Sequence, residues 1–236
     1  VLIDGAGDMA LVSGTNINIG GNYTVNSGNF IWATGSNVVF NINLTITATS
    51  IVSFYNVTVD ADISSSGLIG VYGNWILNSG RTMINDGSII GTNSKSFTAS
   101  SGSTITLTSS ATMPSSFSSY SLNTTSTVNY NGSGTQVVAA VNYGNLTFSN
   151  TGARTLASSG TIGISNTFTP GTNSCTITGS TINFNGTGAQ TVPAFNYNNL
   201  TISGARTVNN VTLANGGTIG VAGSLISSAT FTSGAY

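Results

Sequence analysis

Charge is what this sequence lacks most. Four residues are Lys or Arg and five are Asp or Glu, 4% of the 236 positions, where a typical globular domain has about 25%. Four cations cannot neutralise a run of phosphates, so conventional nucleic-acid binding is excluded. Histidine is absent altogether, which removes Ser/His/Asp triads, Cys/His pairs, most zinc sites and the commonest general base. The single cysteine, Cys175, cannot close a disulfide within the chain. Its setting puts it beside Ile177 on the apolar face of a strand, as a small buried hydrophobe. The longest apolar stretches, Ile51 to Val59 and Leu68 to Leu77, are interrupted by polar residues and fall short of the roughly 18 residues of a helical membrane span. Ala, Leu, Glu, Lys and Gln are too scarce for a helical bundle.

Small neutral polar residues fill the space. The chain holds 36 Thr, 35 Ser, 29 Asn and 30 Gly. With Val, Ile, Tyr and Phe also plentiful, this is a β-forming composition that can bury a core. Charge-poor and cysteine-poor, it suits the outside of a prokaryotic cell, and a start at Val1 with no basic leader reads as a mature secreted product or, equally, as an excised fragment. Nine Asn-X-Ser/Thr sequons, the first at Asn22 and the last at Asn210, match the number that composition gives by chance and carry no glycosylation signal.

The strongest pattern is a repeat. Residues 126–156 align with 180–208 at 19 of 29 positions once Asn150 and Thr151 are set aside, a spacing of 54 residues. Upstream, Gly21-Asn22-Tyr23 recurs as Gly73-Asn74-Trp75 at 52, and Thr161-Ile162-Gly163-Ile164 recurs as Thr218-Ile219-Gly220-Val221 at 57. A shorter motif, Asn, Leu or Val, Thr, then an apolar residue, appears at Asn43, Asn56, Asn145, Asn199 and Asn210. Alternation along a strand points its second and fourth residues inward and its Thr outward, so each copy is a short half-buried strand.

Fixed-period repeats of short strands predict an all-β solenoid, a right-handed parallel β-helix of 52–57-residue repeats. Rungs of about 18 to 22 residues make the 54-residue unit two or three rungs. Stacked rungs place like on like about 4.8 Å apart, which explains the missing charge, since a charge would face its own copy while Asn and Thr stack as neutral ladders. The whole chain, 1–236, is read as one elongated domain. Residues 1–35 form an N-terminal edge or assembly segment, 36–125 are degenerate repeats, and 126–179 and 180–236 are clear ones. Tyr130-Asn131-Gly132 and Phe184-Asn185-Gly186 pull the other way, because Asn-Gly between alternating segments signals a two-residue hairpin. An antiparallel β-sandwich is the alternative fold.

The pattern Val-Asn-Tyr-Asn-Gly, Gln136 or Gln190, Asn-Tyr, Asn-Leu-Thr, then Ala-Arg-Thr resembles repeats in large secreted β-helix surface proteins of Bacteroidota-type bacteria. The resemblance is good over 126–231 and faint over 15–84. It implies an exported structural or adhesive protein with no catalytic residues to carry over, although the sorting domain usual in those proteins is not seen before Tyr236.

Individual residues offer little chemistry. Asp60 and Asp62 share a strand face, but the plainer reading is a solvated corner rather than a catalytic pair. Asp4-Gly5-Ala6-Gly7-Asp8 resembles a loose calcium loop, with Asp4 and Asp8 as weak ligand candidates. Arg154 and Arg206 are repeat-equivalent, which points to carbonyl bonding at a corner, or to a subunit or glycan contact. The recurrent aromatics Tyr130, Tyr143, Phe184 and Tyr197 are core or, alternatively, a sugar-binding stripe.

The expectation is a non-enzymatic extracellular structural protein that self-assembles through β-edge or head-to-tail contacts into a filament or surface fibre. Candidate contact residues are Val1, Leu2, Ile3, Arg154, Arg206 and Phe231. The partner is a copy of itself, with no cofactor, no nucleic acid and no membrane span. The alternative is a cell-surface adhesin or glycan-binding module. Thr-X-Thr runs such as Thr45-Ile46-Thr47 raise ice binding as a minor third reading.

Overall fold

The computed structural model describes residues 2–3, 9–10, 12–25, 30–48, 51–206, 210–228 and 231–232. They contain strands and turns and no helix, hence no helix long and apolar enough to cross a membrane. The strands coil into a β-solenoid in which strands of successive turns pair in parallel. No antiparallel pair of the sandwich alternative is found among the described strands.

The chain divides into two compact units, 1–123 and 124–236. The second begins just before the first clear repeat, where the sequence reading has one continuous domain. In unit one each turn but the last contributes three strands. The first face runs Leu2–Ile3, Tyr23–Val25, Leu44–Ala48, Ile63–Ser66, Thr82–Asn85 and Thr104–Leu107. On the second, Val52–Phe54, Leu68–Val71 and Ser88–Ile90 form a three-stranded sheet, and Met9–Ala10 pairs with Phe30–Ile31. The third carries Asn16–Ile19, Asn37–Phe40, Asn56–Val59, Trp75–Leu77, Ser96–Ala99 and Ser119–Leu122.

Unit two repeats the plan. Thr127–Tyr130, Asn145–Phe148 and Phe168–Thr169 stack on its first face, and Gln136–Val138, Arg154–Leu156 and Cys175–Thr176 on its second. Asn142–Tyr143, Ile162–Ile164, Thr181–Phe184, Asn199–Ile202 and Leu225–Ser227 stack on its third. Two further short stacks complete it, Gln190–Val192 with Val211–Leu213 and Phe231–Thr232, and Asn196–Tyr197 with Gly220–Val221.

Register pairs show how elastic the turn is. Val52 and Ile69 lie 17 residues apart and Leu200 and Leu225 lie 25 apart, with loops at the corners taking up the difference. The sequence repeats resolve against this frame in one way. From Tyr23–Val25 to Trp75–Leu77, from Thr127–Tyr130 to Thr181–Phe184, and from Ile162–Ile164 to Gly220–Val221, the advance is always eight strands. Eight strands on a three-faced coil make two and two-thirds turns, so each copy of the repeat lands on a different face from the last.

Local causes follow the composition. Asn56–Val59, Thr104–Leu107 and Asn145–Phe148 alternate half-buried and buried residues. Their inward residues, such as Val57, Val59, Ile105, Leu146 and Phe148, make the core. The Asn that opens three of the five motifs is a corner device. Asn43 Oδ1 accepts from Asp62 N–H at 3.1 Å, Asn56 Oδ1 from Asn74 N–H at 3.0 Å and Asn199 Oδ1 from Ser224 N–H at 3.1 Å, each bond reaching the next turn. These side-chain bonds hold the corners, where the backbone ladder is interrupted. Gly67 shows what a corner demands: its φ is +86° and a Cβ would sit 2.1 Å from Ala48 O, so no other residue fits.

The Asn-Gly pairs form no hairpin. Asn131-Gly132 lies between two strands that each pair in parallel with the next turn. In its repeat partner, the glycine serves close approach: a Cβ on Gly186 would lie 2.1 Å from Ser165 O.

Candidate functional site

Of the residues singled out by sequence, Val1, Asp4 and Asp8 lie outside the described residues, so the calcium loop does too. Leu2–Ile3 is a strand on the first face of unit one, and Phe231–Thr232 is a strand stacked on Val211–Leu213 in unit two. Among the described residues no three His, Cys, Asp or Glu side chains gather as a metal group would.

Asp60 and Asp62 flank buried Ala61 at the corner between the third and first faces. Each is occupied separately. Asp60 Oδ1 accepts from Asn78 Nδ2 at 3.1 Å and lies 3.8 Å from Arg81 Nε, an exposed pair worth little. Asp62 Oδ1 accepts from Thr82 N–H at 2.7 Å, taking the place that Asn43 holds one turn earlier. Both carboxylates serve as rung-to-rung corner acceptors.

Arg154 is completely buried and has no acidic partner among the described residues. Its Nη2 donates to the carbonyls of Tyr130 at 2.7 Å, Ser149 at 2.6 Å and Gly132 at 3.2 Å, and its Nη1 to those of Gly152 at 2.7 Å and Ala153 at 3.2 Å. The guanidinium thus ties two successive turns at one corner, and burial lowers its pKa. Arg206 repeats the arrangement half-buried, donating to the carbonyls of Phe184, Gly188 and Ser203 and to Gln190 Oε1. Five N–H donors in a fixed fork suit a cluster of carbonyls that Lys could not span. Arg154 therefore offers no surface to a partner.

Cys175 pairs in register with Arg154. It is half-buried rather than fully enclosed. Burial pushes its thiol up to about 11, with the Arg154 cation opposing.

The recurrent aromatics all point inward: Tyr130, Tyr143 and Phe184 are fully buried and Tyr197 nearly so, which leaves no sugar-binding stripe there. Their hydroxyls make a local circuit. Tyr143 Oη donates to Ala139 O at 2.9 Å, Ala139 N–H donates to Tyr130 Oη at 3.1 Å, and the two hydroxyls lie 2.9 Å apart. In the next repeat Tyr197 Oη donates to Pro193 O at 3.1 Å. There Pro193 has no N–H and Phe184 has no hydroxyl, so donor and acceptor are absent together.

Two surface features escaped the sequence reading. At the corner between the second and third faces of unit one, Trp32 lies over Tyr72 with ring centroids 4.4 Å apart and beside Tyr55 at 5.3 Å. Lys95 Nζ sits 5.7 Å from the Tyr55 ring centre. Next to them is a shallow groove of about 220 Å³ on the outer second face. The second feature is the edge strand Leu225–Ser227 of unit two. One inward column runs Ile162, Ile182, Leu200, Leu225. Its first three members are at most 2% exposed and Leu225 is 54% exposed.

No family model, curated protein or solved structure matches the chain. Its chemistry is read from these residues.

Proposed function

We propose that this chain is a non-enzymatic structural protein of the cell exterior whose copies join, β-edge to β-edge, into a filament or surface fibre. The observation that carries the reading is Leu225. It stands in register with buried Leu200 yet is more than half exposed, so the column of core residues continues to an uncovered rung. Among the described residues no strand pairs with the outer edge of Leu225–Ser227, and its backbone groups point along the stacking direction. A further rung laid there, from a second copy, would pair those groups and cover Leu225, a gain of about 1 to 2 kcal/mol from the side chain alone. Contacts of that type are heterologous and propagate unless closed.

With four basic and five acidic residues in the chain, neither attraction nor repulsion between copies is chiefly electrostatic. Negative-stain electron microscopy of the purified chain tests the reading: fibres are expected at low salt and at about 1 M NaCl alike, where charge pairs are screened. Leu225→Lys, which puts a charge at the open rung, abolishes them, whereas Ile84→Lys on an outer face does not. Isolated particles under every condition, or fibres untouched by Leu225→Lys, would sink the proposal.

A further inference from the structure

On the second face of unit one, the outward residues form a grid of three turns by three positions. Ile51, Ser53 and Tyr55 lie on the first turn, Leu68, Gly70 and Tyr72 on the next, and Ser88, Ile90 and Thr92 on the third. Register fixes the columns, with Gly70 directly between Ser53 and Ile90. Eight of these positions carry a side chain and the central one carries none. The missing side chain at Gly70 is the groove, lined by Ile51, Ser53, Leu68, Tyr72, Ile90 and Thr92. Two-residue steps of about 6.7 Å along the strand and rungs about 4.8 Å apart give a depression roughly 13 Å by 10 Å between flanking Cα positions.

Conformation does not require a glycine here. Gly70 has no positive φ, and a Cβ would meet Ser53 Oγ at 3.1 Å, the end of a side chain that can turn away. A strand interior normally disfavours glycine, and one without a backbone reason marks a place where something else approaches closely.

We infer that the groove over Gly70 is a binding subsite for one ring of a neutral glycan. Its walls are apolar: Ile51 is 59% exposed, Tyr72 46% and Ile90 41%, three exposed hydrophobic side chains gathered around one depression. Its rim is hydroxyl: the side-chain hydroxyls of Ser53 and Tyr72 make no hydrogen bond to the protein among the described residues, and Thr92 Oγ1 donates to Val71 O at 3.2 Å while keeping its lone pairs. None of the nine grid positions is charged, and the nearby Lys95 is engaged over Tyr55, so charge complementarity selects a neutral ligand. A pyranose combines a C–H face, which packs on Tyr72 and the isoleucines, with edge hydroxyls that reach Ser53 and Thr92. Trp32 backs the Tyr72 ring from the corner, holding the platform in place before binding, which lowers the ordering cost. At about 220 Å³ the groove is smaller than the roughly 300–1,000 Å³ of clefts that enclose a whole ligand. It therefore takes one unit of a longer chain.

The test titrates cellohexaose, maltohexaose and mannohexaose into the chain, followed by saturation-transfer NMR and by the fluorescence of Trp32. Saturation is expected on the ring C–H protons of at least one of them. Gly70→Val fills the groove with a good strand former and abolishes binding while circular dichroism and Tm stay unchanged or improve. Tyr72→Ser weakens it roughly threefold to tenfold, the usual worth of one aromatic contact. Transfer to none of the three sugars, or binding that survives both substitutions, overturns the inference. So does sedimentation showing that Gly70→Val alters self-association without sugar, since the face would then be a contact between copies. Fibre formation does not enter these readouts, so the two proposals stand or fall separately.

Discussion

Replacing Arg154 by Met keeps most of the buried stem and removes the charge and all five carbonyl bonds. The magnitude follows from what those carbonyls have left. Tyr130 O still accepts from Ser149 N–H, Gly132 O from Gly152 N–H and Ala153 O from Gln136 N–H; Gly152 O keeps Asn173 Nδ2. Among the described residues Ser149 O has no other donor. The loss is then one orphaned part-buried carbonyl, about 1 to 3 kcal/mol, plus the surplus of four charge-assisted bonds, less the desolvation that a buried cation no longer suffers. A net loss of about 3 kcal/mol is expected. Arg206→Met, half-buried and partly solvated, should cost about 1 kcal/mol. Urea denaturation followed by circular dichroism measures both, and hydrogen exchange at the Ser149 and Gly152 amides reports whether the corner opens locally, as stacked repeats allow. Arg206→Met costing as much as Arg154→Met, or exchange at Ser149 unchanged in Arg154→Met, would refute the corner-tie argument.

Two further outcomes are expected. Tyr130→Phe leaves Ala139 N–H without its acceptor and Ala139→Pro takes away the backbone donor to Tyr130 Oη, which keeps Tyr143 Oη at 2.9 Å, so each alone should cost about 1 kcal/mol. The pair together, reproducing the arrangement of Phe184 and Pro193, should cost less than the sum, and a double-mutant cycle with no coupling contradicts this. The Cys175 thiol, raised from 9.0 to about 11, should react with iodoacetamide at pH 8 about 100-fold more slowly than an ordinary thiol. Its neutral form is favoured in the fold, so its stabilising contribution is complete below about pH 9 and fades as pH rises toward 11; labelling at the rate of a free thiol contradicts this.

The solenoid was legible because its causes are local and repeated. Asn-Leu-Thr at Asn145 and Asn199 encodes an inward pair, an outward Thr and a corner acceptor within four letters. The Asn-Gly signal misled because glycine has two uses: Gly67 combines a positive φ with a close approach, whereas Gly186 has the close approach without a positive φ, and the letters alone do not separate them. The aromatic corner was hidden for another reason. Trp32, Tyr55 and Tyr72 are separated by unequal steps because turn length varies, so no fixed period gathers them. Gly70 escaped for the opposite cause, since its meaning lies in Ser53 and Ile90, one turn to either side.

A repeat of eight strands wound on three faces also has an arithmetic of its own. Lengthening such a chain by whole units does not build a stripe. Each duplication advances the pattern by two and two-thirds turns, so a substitution copied with its unit reappears on another side of the coil and returns to its first side only after three units. Any surface that must be continuous along one side, whether for a sugar chain or for a neighbouring fibre, therefore has to be selected turn by turn. Duplication supplies such a molecule with length, and point substitution alone supplies it with a sidedness.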